Sequence, residues 1–126
     1  MNGKILLIDD DEEFTNDLAF LLNGSYKFVA VTKGKKGIEL LEKEKFDLVV
    51  LDLVMPAFYA EEDEKEGIEV LQLIKKSVSI PVIVLTKMNK PGIRKICLDL
   101  GVDAFLTKHM SMQVLKKKID KLIIKI

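Results

Sequence analysis

Val49-Val50-Leu51-Asp52-Leu53-Val54-Met55-Pro56 is an apolar run that carries one carboxylate to its end and then stops. Consecutive aliphatic residues, β-branched ones among them, describe a strand buried on both faces, because a strand wet on one side alternates apolar with polar. The run is expected from Asp47 to Leu51, which leaves Asp52 at the carboxyl edge of a sheet. In an open α/β sheet that edge is where ligands bind. A lone acid after a strand also serves as a helix cap or turn residue, so the neighbours of Asp52 have to carry the argument.

A chain of 126 residues fits one domain and buries roughly two-thirds of the surface its unfolded form exposes. Forty-eight percent of the residues are hydrophobic, and 20 basic side chains balance 20 acidic ones, so neither disorder nor a nucleic-acid footprint is indicated. Arg94 is the single Arg among the basic residues. One cysteine, Cys97, excludes an internal disulfide, fits a reducing cytosol and falls on an apolar helical position. The apolar run after Met1-Asn2-Gly3-Lys4 is too short for a signal peptide or a membrane span, so a cytoplasmic protein is expected.

The chain alternates strand and helix throughout. Lys4 to Ile8 forms a strand ending in Asp9, Asp10, Asp11 and Glu12, and Phe14, Leu18, Leu21 and Leu22 follow at helical spacing up to Asn23-Gly24. Tyr26 to Val31 is a second strand, and Ile38, Leu40 and Leu41 mark the helix after it. Beyond Pro56, residues 57–66 carry five acids and no apolar stripe, which describes a solvated loop longer than the usual 2 to 6 residues. A third helix is expected from about Gly67 through Ile68, Val70, Leu71 and Ile74. Val82 to Leu85 is a fourth strand ending on Thr86, and Pro91 suits the first turn of a helix through Ile93, Ile96, Cys97 and Leu100. Ala104 to Thr107 is the fifth strand, with Lys108 directly after it. Ser111 can cap a last helix with Leu115, Ile119, Leu122 and Ile126 on one face and its lysines off it. Five such units give a doubly wound, five-stranded parallel sheet of (βα)5 type, with right-handed crossovers and helices on both faces.

In a parallel sheet, Asp9 and Asp10, Asp52, Thr86 and Lys108 all fall on one edge. Carboxylates about 5 Å apart repel by roughly 3 kcal/mol per pair at an effective dielectric near 20, so a cation is required among them. A hard divalent ion prefers such oxygen donors, and Mg²⁺ keeps waters that substrate oxygens can replace. Lys108 supplies a point charge for a phosphate oxygen, and Thr86 a neutral hydroxyl donor. A carboxylate so placed is equipped to attack phosphorus and carry an aspartyl phosphate.

These residues, in this order, resemble those of a response-regulator receiver domain, the phosphoacceptor module of two-component signalling in the CheY-like superfamily. The resemblance covers essentially the whole chain. Ile8-Asp9-Asp10 is similar to the acidic pair that holds Mg²⁺, and Asp52 followed by Met55-Pro56 to the phosphoacceptor and its loop. Val84-Leu85-Thr86 resembles the strand ending in the switch hydroxyl, Phe105 the switch aromatic, and Lys108, 22 residues after Thr86, the phosphate-binding lysine. The resemblance implies a flavodoxin-like fold of strand order 2-1-3-4-5, with Mg²⁺ held by Asp9, Asp10, Asp52 and the main-chain carbonyl of Val54. It further implies phosphorylation of Asp52 by a sensor histidine kinase or phosphotransfer protein, and switching through Thr86 and Phe105 on the face built from the fourth helix, the fifth strand and the last helix. Residues 1–126 then make a single receiver with no output domain in this chain. Its readout is docking to a downstream protein or self-association, with no direct contact to nucleic acid or membrane, and its only catalysis is its own phosphorylation and dephosphorylation.

Three positions depart from the family pattern. His109 follows Lys108 where Pro is common, Lys87 follows Thr86 where a small residue is usual, and about seven residues are inserted between Pro56 and Gly67. Other readings weigh less. An aspartate-nucleophile phosphohydrolase would use Asp9, is usually longer, and gives the third strand no reason to end on Asp52. A flavin carrier of the same fold needs a hydroxyl- and glycine-rich phosphate loop where this chain has acids. A non-phosphorylated interaction module is the remaining alternative.

Overall fold

The computed structural model describes residues 3–53, 65–87 and 90–123, with Lys65 and Glu66 described by backbone alone. The elements run β1 (Lys4–Ile8), α1 (Glu12–Leu22), β2 (Lys27–Val31), α2 (Gly34–Lys43), β3 (Leu48–Asp52), α3 (Lys65–Ser77), β4 (Val82–Thr86), α4 (Pro91–Asp99), β5 (Ala104–Thr107) and α5 (Met112–Ile123). All strand pairs are parallel, in the order β2-β1-β3-β4-β5. The three inner strands β1, β3 and β4 are buried almost throughout, as their unbroken aliphatic sequences require.

Because successive side chains of a strand point to opposite faces, the sheet divides its residues between two cores. Leu6, Ile8, Val49, Leu51, Val82, Val84 and Phe105 pack with Leu41 of α2, Val70, Leu71 and Ile74 of α3, and Cys97 of α4. Ile5, Leu7, Leu48, Val50, Ile83, Leu85 and Ala104 pack with Leu18 and Leu22 of α1 and with Leu115 and Ile119 of α5. Each fully buried Leu or Ile contributes on the order of 2 kcal/mol, so both layers anchor the edge that carries the polar residues.

The boundaries differ from expectation at a few points. Asp52 is the last residue of β3 itself, since its main chain stays in register with Leu85 of β4. Helix α3 begins at Lys65, so Lys65 and Glu66 belong to a helix and not to the expected loop, whose residues 57–64 lie outside those described. Gly67 stands in the first turn of α3 with the main chain of Leu53 so close that a Cβ would lie 2.3 Å from the Leu53 carbonyl oxygen. Ile96 is 43% exposed and does not share the core face of α4, where Cys97 is buried and Ile93 and Leu100 partly so. Strand β2 begins at Lys27 rather than Tyr26 and β3 at Leu48 rather than Asp47, and Ile126, expected on the face of the last helix, lies outside the described residues. Gly101 follows α4 with a φ of +93°, Pro91 opens that helix, and the Ser111 hydroxyl accepts the Gln113 N–H at 3.0 Å.

Candidate functional site

Strand alternation fixes where each polar residue of the carboxyl edge points. Asp9 continues the Ile5–Leu7 series of β1, and Asp52 the Leu48–Val50 series of β3, so both carboxylates face the α1/α5 side. Thr86 continues the Val82–Val84 series of β4 on the other side, where Phe105 pairs with Val84 two residues before Thr107 pairs with Thr86. The acids and the hydroxyl–aromatic pair therefore approach the same edge from opposite faces. Asp9 at 2%, Asp52 at 0% and Thr86 at 0% exposure are the buried polar residues among those described.

Lys108, in the turn after β5, is placed by its backbone N–H, which donates to the Thr86 carbonyl at 2.8 Å. Its ammonium lies 2.8 Å from Asp9 Oδ2 and 3.2 Å from Asp52 Oδ2, with Asp11 Oδ2 at 3.9 Å. Burial works against this charge, but Asp9 and Asp52 outweigh burial and hold Lys108 above the ordinary lysine value. Asp10 goes the other way. Burial first, and the charge of Asp9 second, raise its carboxyl above the usual range.

Carboxylate oxygens of Asp9, Asp10 and Asp52 lie within 4.8 Å of one another. Asp9 Oδ1 accepts the Asp11 N–H at 2.9 Å, whereas Oδ2 is shielded from solvent and, apart from the Lys108 ion pair, accepts no hydrogen bond among the described residues. Three hard oxygen ligands crowded this closely, with Asp9 Oδ2 short of a hydrogen-bond donor, fit a small divalent cation such as Mg²⁺. Val54, whose carbonyl was expected to join them, lies outside the described residues.

Phe105 is buried, with the Arg94 guanidinium of α4 5.5 Å from its ring centroid. His109 is exposed, and the peptide bond after Lys108 is trans like all those described. The sequence reading missed Asp11 and Phe14. Asp11 caps α1 by accepting the Phe14 N–H at 3.1 Å, and the Phe14 ring lies 4.6 Å from the Lys108 ammonium. The cap spacing between Asp11 and Phe14 was readable, but the ring's contact with a lysine 94 positions later was not.

Residues 5–120 match the family described as response regulator receiver domain. The chain belongs to that family. It is 30% identical over 125 residues to the alkaline phosphatase synthesis transcriptional regulatory protein PhoP of Bacillus subtilis, covering 98% of this chain and 49% of PhoP. It is 33% identical over 118 residues to the transcriptional regulatory protein CpxR of Escherichia coli K12, covering 93% of this chain and 47% of CpxR. This receiver thus spans about half the length of the curated relatives it matches. The receiver domain of Francisella response regulator 1452 superposes with a TM-score of 0.83 at 26% identity, covering 97% of each chain. The match establishes a receiver domain of two-component response regulators with the flavodoxin-like order 2-1-3-4-5. None of the described helices is long and apolar enough to cross a membrane.

Proposed function

We propose that Asp52 of this receiver accepts a phosphoryl group from the phosphohistidine of a sensor histidine kinase or phosphotransfer protein, or from a small phosphodonor. The observation that carries this reading is the Lys108 ammonium held between Asp9 and Asp52 at the carboxyl edge of the sheet. A carboxylate oxygen of Asp52 forms the new O–P bond while the donor's P–N bond breaks, its electron pair staying on the imidazole, which takes a proton. Lys108 neutralises one phosphoryl oxygen, and its near-complete burial makes that charge more effective than it would be in water. Asp9, Asp10 and Asp52 would hold Mg²⁺, with the Val54 carbonyl as the further ligand that the family resemblance implies. When bound, Mg²⁺ supplies electrostatic stabilisation of the charge on the transferring group.

The reading extends to the opposite face. Thr86, with its side chain on the α4 side, donates its hydroxyl to the phosphoryl group, and the displacement is passed to Phe105 and the Arg94 guanidinium above it. The α4-β5-α5 surface then changes its affinity for a downstream protein or a second copy. Residues 1–126 act as a single receiver unit whose only catalysis is its own phosphorylation and dephosphorylation, in the cytoplasm. Incubation with acetyl phosphate and Mg²⁺, followed by intact mass, should add one phosphate, and none in Asp52→Ala. Uptake undiminished in that variant would refute the assignment.

A further inference from the structure

Lysine has a long flexible stem, so an ammonium that must meet a phosphoryl oxygen needs more than charge to hold it in place. Carboxylates attract it but also cancel it. An aromatic face attracts an ammonium through its quadrupole and leaves the charge intact. In this chain the Phe14 ring lies 4.6 Å from Lys108 Nζ, and the Lys108 side chain is 7% exposed. The ring is itself held. Phe14 stands in the first turn of α1, where its N–H donates to Asp11 Oδ1 at 3.1 Å, while Asp11 Oδ2 lies 3.9 Å from the same ammonium. One turn of helix thus presents a fixed ring and a carboxylate to a lysine from the far end of the sheet.

We propose that Phe14 is a positioning residue for Lys108, its ring fixing the ammonium at the carboxyl edge so that phosphoryl transfer to Asp52 does not wait on the lysine side chain. The proposal rests on the phosphoacceptor reading of Asp52. Phe14 acts through Lys108, whose ammonium its ring faces. A purely structural role would need only an apolar side chain of similar volume, and Leu would supply it. The positioning role needs the ring, which Tyr keeps.

Phe14→Leu and Phe14→Tyr are compared with the parent in two measurements. The first is the initial rate of phosphorylation by acetyl phosphate in saturating Mg²⁺. The second is the Lys108 ε-methylene proton shift in the unphosphorylated protein, which the ring current moves upfield of the other lysines. The rate should fall about threefold or more in Phe14→Leu and stay close to the parent in Phe14→Tyr, the size expected for loss of a partly buried ammonium–ring contact. The upfield shift should vanish in Phe14→Leu and persist in Phe14→Tyr. A Phe14→Leu rate equal to the parent's, or an upfield shift retained in that variant, would overturn the proposal. If the parent itself takes up no phosphate, the phosphoacceptor reading fails, and the Lys108 shift alone still decides whether the ring places the ammonium.

Discussion

Lys108 and Asp52, 56 residues apart, meet at 3.2 Å across the carboxyl edge of the sheet, with Asp9 Oδ2 2.8 Å from the same ammonium. Removing one member of a buried ionic cluster leaves the others uncompensated, which costs more than the cluster contributes as a whole. Lys108→Met should lose about 3 kcal/mol of stability in a chelator. Added Mg²⁺ should recover more stability in the variant than in the parent, because the ion no longer competes with the ammonium for Asp9. Urea unfolding with and without Mg²⁺ checks both statements.

Asp10 carries the opposite sign. Its folded-state value is raised, chiefly by burial and then by the charge of Asp9. A raised carboxyl favours the folded state below its unfolded value, and that contribution is lost as pH rises through the folded value. Asp10→Asn should therefore be more stable than the parent at neutral pH in a chelator, with the difference shrinking toward about pH 4, where the unfolded carboxyl is protonated. The variant should also lose most of the stabilisation that Mg²⁺ gives the parent. Denaturation series across pH, each run with and without the ion, read the two effects separately.

Gly67 is a geometric weak point next to the acceptor strand. A Cβ there would lie 2.3 Å from the carbonyl oxygen and 2.5 Å from the Cα of Leu53, and main chain cannot step aside as a side-chain tip can. Gly67→Ala should cost about 3 kcal/mol, against the modest gain Ala normally brings to a helix. The clash falls on the residue after Asp52, so phosphorylation should slow as well. Gly92→Ala is the control, because among the described residues nothing stands within 4 Å of a Cβ at that position.

Burial pushes the Cys97 thiol from an ordinary 9.0 up to about 11. The thiol should resist alkylation at neutral pH until the chain unfolds. A raised acid contributes stability below its unfolded value and loses it as pH climbs to the folded one. The alkaline limb should therefore fall by up to about 1.4 kcal/mol per pH unit on account of this group. Tyr26 is also raised, by burial and by its 2.5 Å hydrogen bond to Asp120, so the parent limb combines both groups. Cys97→Ala should flatten the limb between pH 9 and 11, and an unchanged slope would contradict the burial argument.

The order of elements was legible because the strands of this sheet interior carry no polar interruptions, and each ends on a residue of different chemistry. Asp9, Asp52, Thr86 and Lys108 could be named because strand ends of one parallel sheet share an edge. What the sequence could not supply was the third dimension of that edge. Phe14 has the helical spacing of a core residue, and only the placement of α1 beneath the turn after β5 turns its ring toward Lys108. Ile96 fits the apolar stripe of α4 equally well on paper, yet it is 43% exposed because the short helix buries Cys97 instead. The start of α3 was misplaced because Lys65 and Glu66 look like the end of an acidic loop, although neither residue opposes a helix.

The central claim is that phosphate resides on Asp52 and not on another carboxylate of the same cluster. Sodium borohydride reduces an aspartyl phosphate to homoserine, so the acceptor can be read directly by peptide mapping after exposure to acetyl phosphate and Mg²⁺. Homoserine is expected at position 52 alone, and only when Mg²⁺ is present. Homoserine at position 9 would instead mark Asp9 as the nucleophile of a phosphohydrolase, and the assignment of Asp52 would be wrong.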